Sequence, residues 1–151
     1  MSARTPAVAF AFAALAAMLP ARAAAPPTLD TCRLVEKAVV AAALGAPVGD
    51  GRRLSGNGAC HYRAMNGPVS ATIAERAADR SYYEAYLRNA HDELSVQPHA
   101  VAALGERAAR WPGSVVLLVH GKFALITIIG LPRAHADAAA LTIARDVTKR
   151  L

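Results

Sequence analysis

Two apolar runs around a short polar break constrain this chain more than any other feature. Residues 115–119 read Val-Val-Leu-Leu-Val, residues 123–129 read Phe-Ala-Leu-Ile-Thr-Ile-Ile, and Gly121-Lys122 lies between them. Both runs are strand-length and rich in β-branched residues. With Gly at the first turn position, they predict a β-hairpin closed by a two-residue type II′ turn. Neither run alternates apolar with polar, so both faces of this hairpin are expected to be covered. One small domain meets that demand with helices laid above and below a sheet.

The N-terminal residues have a different logic. Arg4 is followed by an uncharged apolar run over residues 7–19, then Pro20 and Ala21-Arg22-Ala23. This is the layout of a secretory signal peptide, cut after Ala23 or, less readily because Pro26 follows, after Ala25. The run is shorter than the ~20 residues needed to span a bilayer, and no later segment is long enough. Residues 29–31, Leu-Asp-Thr, lack the small side chains that a lipoprotein signal places before its Cys. The expected organisation is a signal peptide over 1–23, a flexible lead-in over 24–29 and one domain over 30–151, periplasmic or secreted and without an integral membrane segment after cleavage. The formal charge is +6, and it falls to +4 when Arg4 and Arg22 leave with the signal. No run of Lys or Arg exceeds two residues, so nothing concentrates charge as nucleic-acid binding requires.

Asp30 or Thr31 caps a predicted first helix that runs to Leu44 and is stopped by Gly45 and Pro47. Its inward stripe is Cys32, Val35, Val39 and Ala42/Ala43. Residues 52–55 suit a short edge strand. Asn66-Gly67 then signals a type I′ hairpin turn. Counting outward from it pairs Met65 with Pro68, Ala64 with Val69, Arg63 with Ser70, Tyr62 with Ala71, His61 with Thr72 and Cys60 with Ile73. This register puts Cys60, Tyr62, Ala64, Val69, Ala71 and Ile73 on one face, and His61, Arg63, Ser70 and Thr72 on the other. A second helix opens at Asp79 or Ser81 and runs to Leu94, with Tyr83, Leu87, Ala90 and Leu94 facing in and Tyr82 and Tyr86 beside that stripe. A strand follows at residues 107–111, then the central hairpin. A third helix over 133–151 turns Ala140, Ala144, Val147 and Leu151 inward. The predicted fold class is α+β: one antiparallel sheet of five to six strands with helices on both faces, in the order α-β-β-α-β-β-β-α.

Cys32 and Cys60 both survive cleavage, and each falls on the apolar side of its element. Two cysteines in an exported chain pair as one disulfide more often than they remain two buried thiols.

Cys32-Arg-Leu-Val-Glu-Lys-Ala-Val-Val-Ala-Ala-Ala-Leu-Gly45, Cys60-His-Tyr62, Val101-Ala-Ala-Leu-Gly105, Trp111 and the late strands with a closing helix are the relevant pattern. It resembles a group of small exported proteins of unknown function with a PsbP-like α/β sandwich fold. Ala103 departs from the Gly that this group usually has there. The resemblance implies the fold and export; it carries over no catalytic residue.

No G-x-S-x-G surrounds a serine, and Ser114 stands at a strand start. The five histidines, His61, His91, His99, His120 and His135, lack metal-ligand spacing, although His61 and His120 could meet if their strands were neighbours. The cysteines are too far apart for a redox pair. No cofactor and no metal are expected. The polar face of His61, Arg63, Ser70 and Thr72 marks either a charged edge strand or, with Arg52, Arg53 or Arg76 close by, a cationic groove for an anion or acidic peptide. The expected function is a non-catalytic binding or accessory protein of the cell envelope, with a protein or small ligand as partner and weak contact with anionic envelope polymers. The alternative is a small periplasmic hydrolase or transferase that uses the His61/Arg63 face.

Overall fold

The computed structural model describes residues 30–151; the predicted signal peptide and lead-in lie outside them. After a 3₁₀ turn at Thr31–Arg33, the elements are α1 (Lys37–Leu44), β1 (Arg52–Arg53), β2 (Cys60–Arg63), β3 (Ser70–Ala77), α2 (Arg80–Leu94), β4 (His99–Ala100), β5 (Arg107–Trp111), β6 (Ser114–Val119), β7 (Lys122–Ile129) and α3 (Arg133–Thr148). All seven strands form one antiparallel sheet in the order β1-β2-β3-β7-β6-β5-β4. The α+β class stands, with seven strands rather than five to six. The extra strand is the two-residue β4, between the end of the predicted second helix at Leu94 and the predicted strand at residues 107–111.

The central hairpin forms over the predicted runs, but its turn is shifted by one residue. Val119 pairs with Lys122, so the turn residues are His120 and Gly121, with φ of 47° and 73°. Two positive φ values make this a type I′ turn, not II′, with Gly second. The β2–β3 register is as counted, from Cys60–Ile73 to Arg63–Ser70. The loop is not the predicted two-residue turn. Met65 gives its N–H to the Pro47 carbonyl at 2.9 Å, and the last closing bond is Ala64 N–H to Val69 at 2.9 Å. A two-residue hairpin needs an N–H from the residue in position 68, and Pro68 has none.

The sheet is covered unequally. α1 and α3 share one face, where Ile73, Val115, Leu117, Ile126, Ile143 and Val147 are buried in one cluster. α2 lies on the other face and packs Tyr83 and Ala90 over Ala109, Trp111, Val116, Leu118 and Phe123. Every residue of β6 is therefore buried, the reason its sequence does not alternate. Along β2 only Cys60 and Tyr62 are buried. In α3, Ala140, Ala144 and Val147 are buried as predicted; the helix ends at Thr148 instead of 151, and Leu151 lies beyond it, half-buried. In α2, Leu94 is 60% exposed instead of packed.

The first helix is broken. A 3₁₀ turn and an extended Glu36 precede α1, and its buried residues are Val40 and Leu44 in place of the predicted stripe's Val39, Ala42 and Ala43. The cause is a side chain from β2. The Tyr62 hydroxyl lies 3.0 Å from the Cys32 carbonyl and 3.3 Å from that of Val35. In a continuous helix those oxygens would accept from N–H groups four residues on.

Cys32 and Cys60 form a disulfide, with their Cα atoms 5.0 Å apart, that ties the 3₁₀ turn to β2. Gly51 lies against it: a Cβ there would stand 2.6 Å from the Cys60 Sγ and 2.8 Å from the Tyr62 ring.

Tyr62 also gives the fold an alkaline limit. Burial, with a smaller contribution from the Asp30 carboxylate, raises its hydroxyl above the ordinary 10.0. The folded state then holds this proton more tightly than the unfolded chain. Its contribution to stability is full below about pH 10 and is lost as pH rises through the folded value. Burial raises Tyr83 and Tyr86 as well. Tyr62→Phe is expected to cost about 1 kcal/mol at neutral pH. Urea unfolding between about pH 8 and 11 should show a shallower alkaline loss in the variant than in the parent. Equal slopes would contradict this role for Tyr62.

Candidate functional site: an uncovered half of the sheet

α2 spans only part of its face, and β1, β2 and the start of β3 carry no helix on that side. The alternation of a half-covered strand determines what is presented there. With Cys60 and Tyr62 turned toward α1 and α3, His61 and Arg63 must point the other way, and the ladder brings Thr72 and Ser70 opposite them.

The ladder extends this into one lateral row. Arg52 pairs with His61, His61 with Thr72, Thr72 with Thr127, Thr127 with Ser114, and Ser114 with Trp111. The row runs from a cation at the sheet edge, through an imidazole and three hydroxyls, to an indole beneath α2. Two links are side-chain contacts: His61 Nδ1 is 3.0 Å from Thr72 Oγ1, and Ser114 Oγ lies 3.4 Å from Thr127 Oγ1. Ser70 and Ser114 are buried, while Arg63 is exposed.

All four predicted face residues thus share one side of the sheet, and His61 and Thr72 touch. Arg52 lies on the same side, opposite His61, and lines the same edge of the sheet. Arg53 does not, because it pairs with Cys60 and so has the opposite pleat phase. Thr127 was not singled out from sequence; its one signal is a hydroxyl inside an apolar run, and only the β3–β7 register gives it meaning. His61 and His120 do not meet, since His61 sits on β2 opposite Thr72 while His120 is in the β6–β7 turn, beside the Ala77 end of β3.

A cavity of about 440 Å³ opens at this edge, lined by Gly49, Asp50, Arg52, His61 and Arg63. Its one carboxylate is already engaged. Lys37 Nζ donates to Asp50 at 2.7 Å, and that hydrogen bond, with the lysine's charge, holds the Asp50 carboxyl below its ordinary value. Among the described residues neither Arg52 nor Arg63 forms an ion pair. Two guanidinium groups with planar forks of donors, beside an imidazole and hydroxyls, suit an anion that also accepts hydrogen bonds.

The arrangement offers less for catalysis. Thr72 is within reach of His61, but it sits mid-strand, and among the described residues no carboxylate bonds to the His61 ring to orient it. Among the described residues no group of three His, Cys, Asp or Glu side chains is placed to hold a metal ion, and no helix is long and apolar enough to cross a membrane. Tyr83 and Trp111 belong to the core under α2, whereas Tyr82 and Tyr86 are half-buried at its border. A scan against protein-family models finds no match for this chain, and searches of curated proteins and of solved structures find none either.

Proposed function

We propose that this chain is an exported, disulfide-stabilised, non-catalytic binding or accessory protein of the cell envelope, which engages an anionic ligand on the uncovered half of its sheet. The observation that carries this reading is the Arg52–His61–Thr72–Thr127–Ser114 row beside a cavity whose arginines have no carboxylate partner. Charged side chains also blunt the edge strands of sheets; here the two arginines line one cavity, and among the described residues neither has a carboxylate partner. The disulfide supports export, because such bonds persist in oxidising compartments. The PsbP-like likeness belongs to the same proposal, supported by one antiparallel sheet between helices.

The test uses poly-L-glutamate as an acidic peptide and neutral dextran as control. The protein should bind the first and not the second. Arg52→Gln with Arg63→Gln should weaken binding by about tenfold, the loss of one to two charge-assisted hydrogen bonds. Raising the salt should weaken it further. Unchanged affinity in the double variant would overturn the assignment of this face.

One observation favours a second reading, a small hydrolase or transferase working from the His61/Arg63 face: the 3.0 Å contact between His61 and the Thr72 hydroxyl. It predicts ester hydrolysis that Thr72→Val abolishes. Turnover that survives Thr72→Val would count against it.

A further inference from the structure

A second cavity, of about 440 Å³, lies on the same side of the sheet where α2 ends its cover. It shares no lining residue with the Arg52–His61–Arg63 cavity. Its floor is apolar and comes from two strands: Ala74 pairs with Leu125 and Arg76 with Phe123 across the β3–β7 ladder. One wall is the Tyr82 and Tyr86 pair of α2, and the other is the Gly56-Asn57 turn before β2. The rings are set against one another: Tyr82 meets Phe123 edge-on at 5.2 Å, and Tyr86 lies 4.9 Å from Phe123 and 6.2 Å from Trp111.

Arg76 is the charged group of this cavity. Its guanidinium sits over the Tyr82 ring, 4.7 Å from the centroid, and its Nη1 donates to the Tyr82 hydroxyl at 3.0 Å. Both contacts fix the guanidinium while leaving donors over. Among the described residues no carboxylate pairs with it. Glu75 borders the cavity, but it has the opposite pleat phase from Arg76.

We propose that this cavity binds a small amphipathic carboxylate, whose flat apolar body lies on Ala74, Leu125 and Phe123 between the tyrosines and the Gly56-Asn57 turn. Its carboxylate meets Arg76. A planar fork of N–H donors matches a carboxylate better than a point charge would. An apolar floor with few convergent polar groups is the usual make-up of a small-ligand site, and the volume falls within the usual range. This site goes beyond the anionic reading of the β1–β2 edge and does not depend on it.

The experiment uses naphthalene-2-carboxylate and its neutral analogue naphthalene-2-methanol in calorimetry with the oxidised protein. The expected result is one saturable site with about tenfold tighter binding of the carboxylate, the effect of one charge-assisted pair. Trp111 is the chain's one tryptophan, so its single indole N–H resonance reports on Tyr86 and should shift on titration. Arg76→Gln, at an exposed position, should bring the two probes to within about twofold of each other while the alcohol's affinity stays the same. Arg63→Gln should change neither, which separates this site from the β1–β2 edge. Equal affinities in the parent protein, no saturable binding, a preference that persists in Arg76→Gln, or one that Arg63→Gln removes would each overturn the proposal.

Discussion

Replacing both half-cystines together, Cys32→Ser with Cys60→Ser, should lower the unfolding free energy by about 3–4 kcal/mol. The bridge closes a loop with a sequence separation of 28. In the chain-entropy account, opening that loop returns freedom to the unfolded chain and leaves native contacts almost unchanged. The double substitution matters, because a single one leaves a reactive thiol. For a domain of this size the loss corresponds to a fall of roughly 10–20 °C in Tm. The variant should still fold, because the Tyr62 hydroxyl goes on holding the Cys32 and Val35 carbonyls. Thermal melts of the oxidised parent and the double serine variant measure the difference. Melts within about 2 °C of each other would mean that the bridge does not clamp the opening turn in solution.

The second large effect is expected at the centre of the sheet. Ile126 is fully buried and pairs with Ile73 on one side and Val115 on the other. Truncating it to Ala removes transfer free energy and leaves a cavity that two flanking strands and α3 cannot close. The expected cost is about 2–5 kcal/mol, toward the upper end because a laddered strand relaxes little. Ile129, three residues on in the same strand, is 60% exposed. Ile129→Ala should stay within about 0.5 kcal/mol of the parent. Denaturant unfolding of both variants tests whether burial in β7 follows this pattern. Similar losses at the two positions would mean that the uncovered half of the sheet is covered in solution.

The register of β2 against β3 could be read from residues because its signal is local. Period-two patterning sorted Cys60, Tyr62, Ala71 and Ile73 from His61, Arg63, Ser70 and Thr72, and a one-residue slip would have inverted every assignment. The apolar run of β6 likewise announced a doubly covered strand, but β7, read the same way, is covered on one face only in part: Leu125 and Thr127 are half-buried and Ile129 is exposed. The break in the first helix was not legible. It depends on the Tyr62 phenol reaching back across 30 positions to the Cys32 carbonyl, a contact that no helical pattern encodes. The turn at Asn66-Gly67 misled because Pro68 removes the closing donor, and the central turn because either of two adjacent pairs could take the tight positions. The polar face was visible as four residues. Its extension through Thr127 and Ser114, and its meeting with Arg52, needed the pairing of β7 between β3 and β6 and of β1 with β2. The aromatic cavity at Arg76 was hidden for the same reason: its floor joins residues from two strands far apart in sequence.

The most direct test maps amide chemical shifts of the oxidised protein during titration with poly-L-glutamate. Changes should concentrate at Arg52, His61, Arg63 and Thr72, with the outer surfaces of α1 and α3 silent. Changes centred on α3, or spread evenly over the surface, would contradict a binding face on the open half of the sheet.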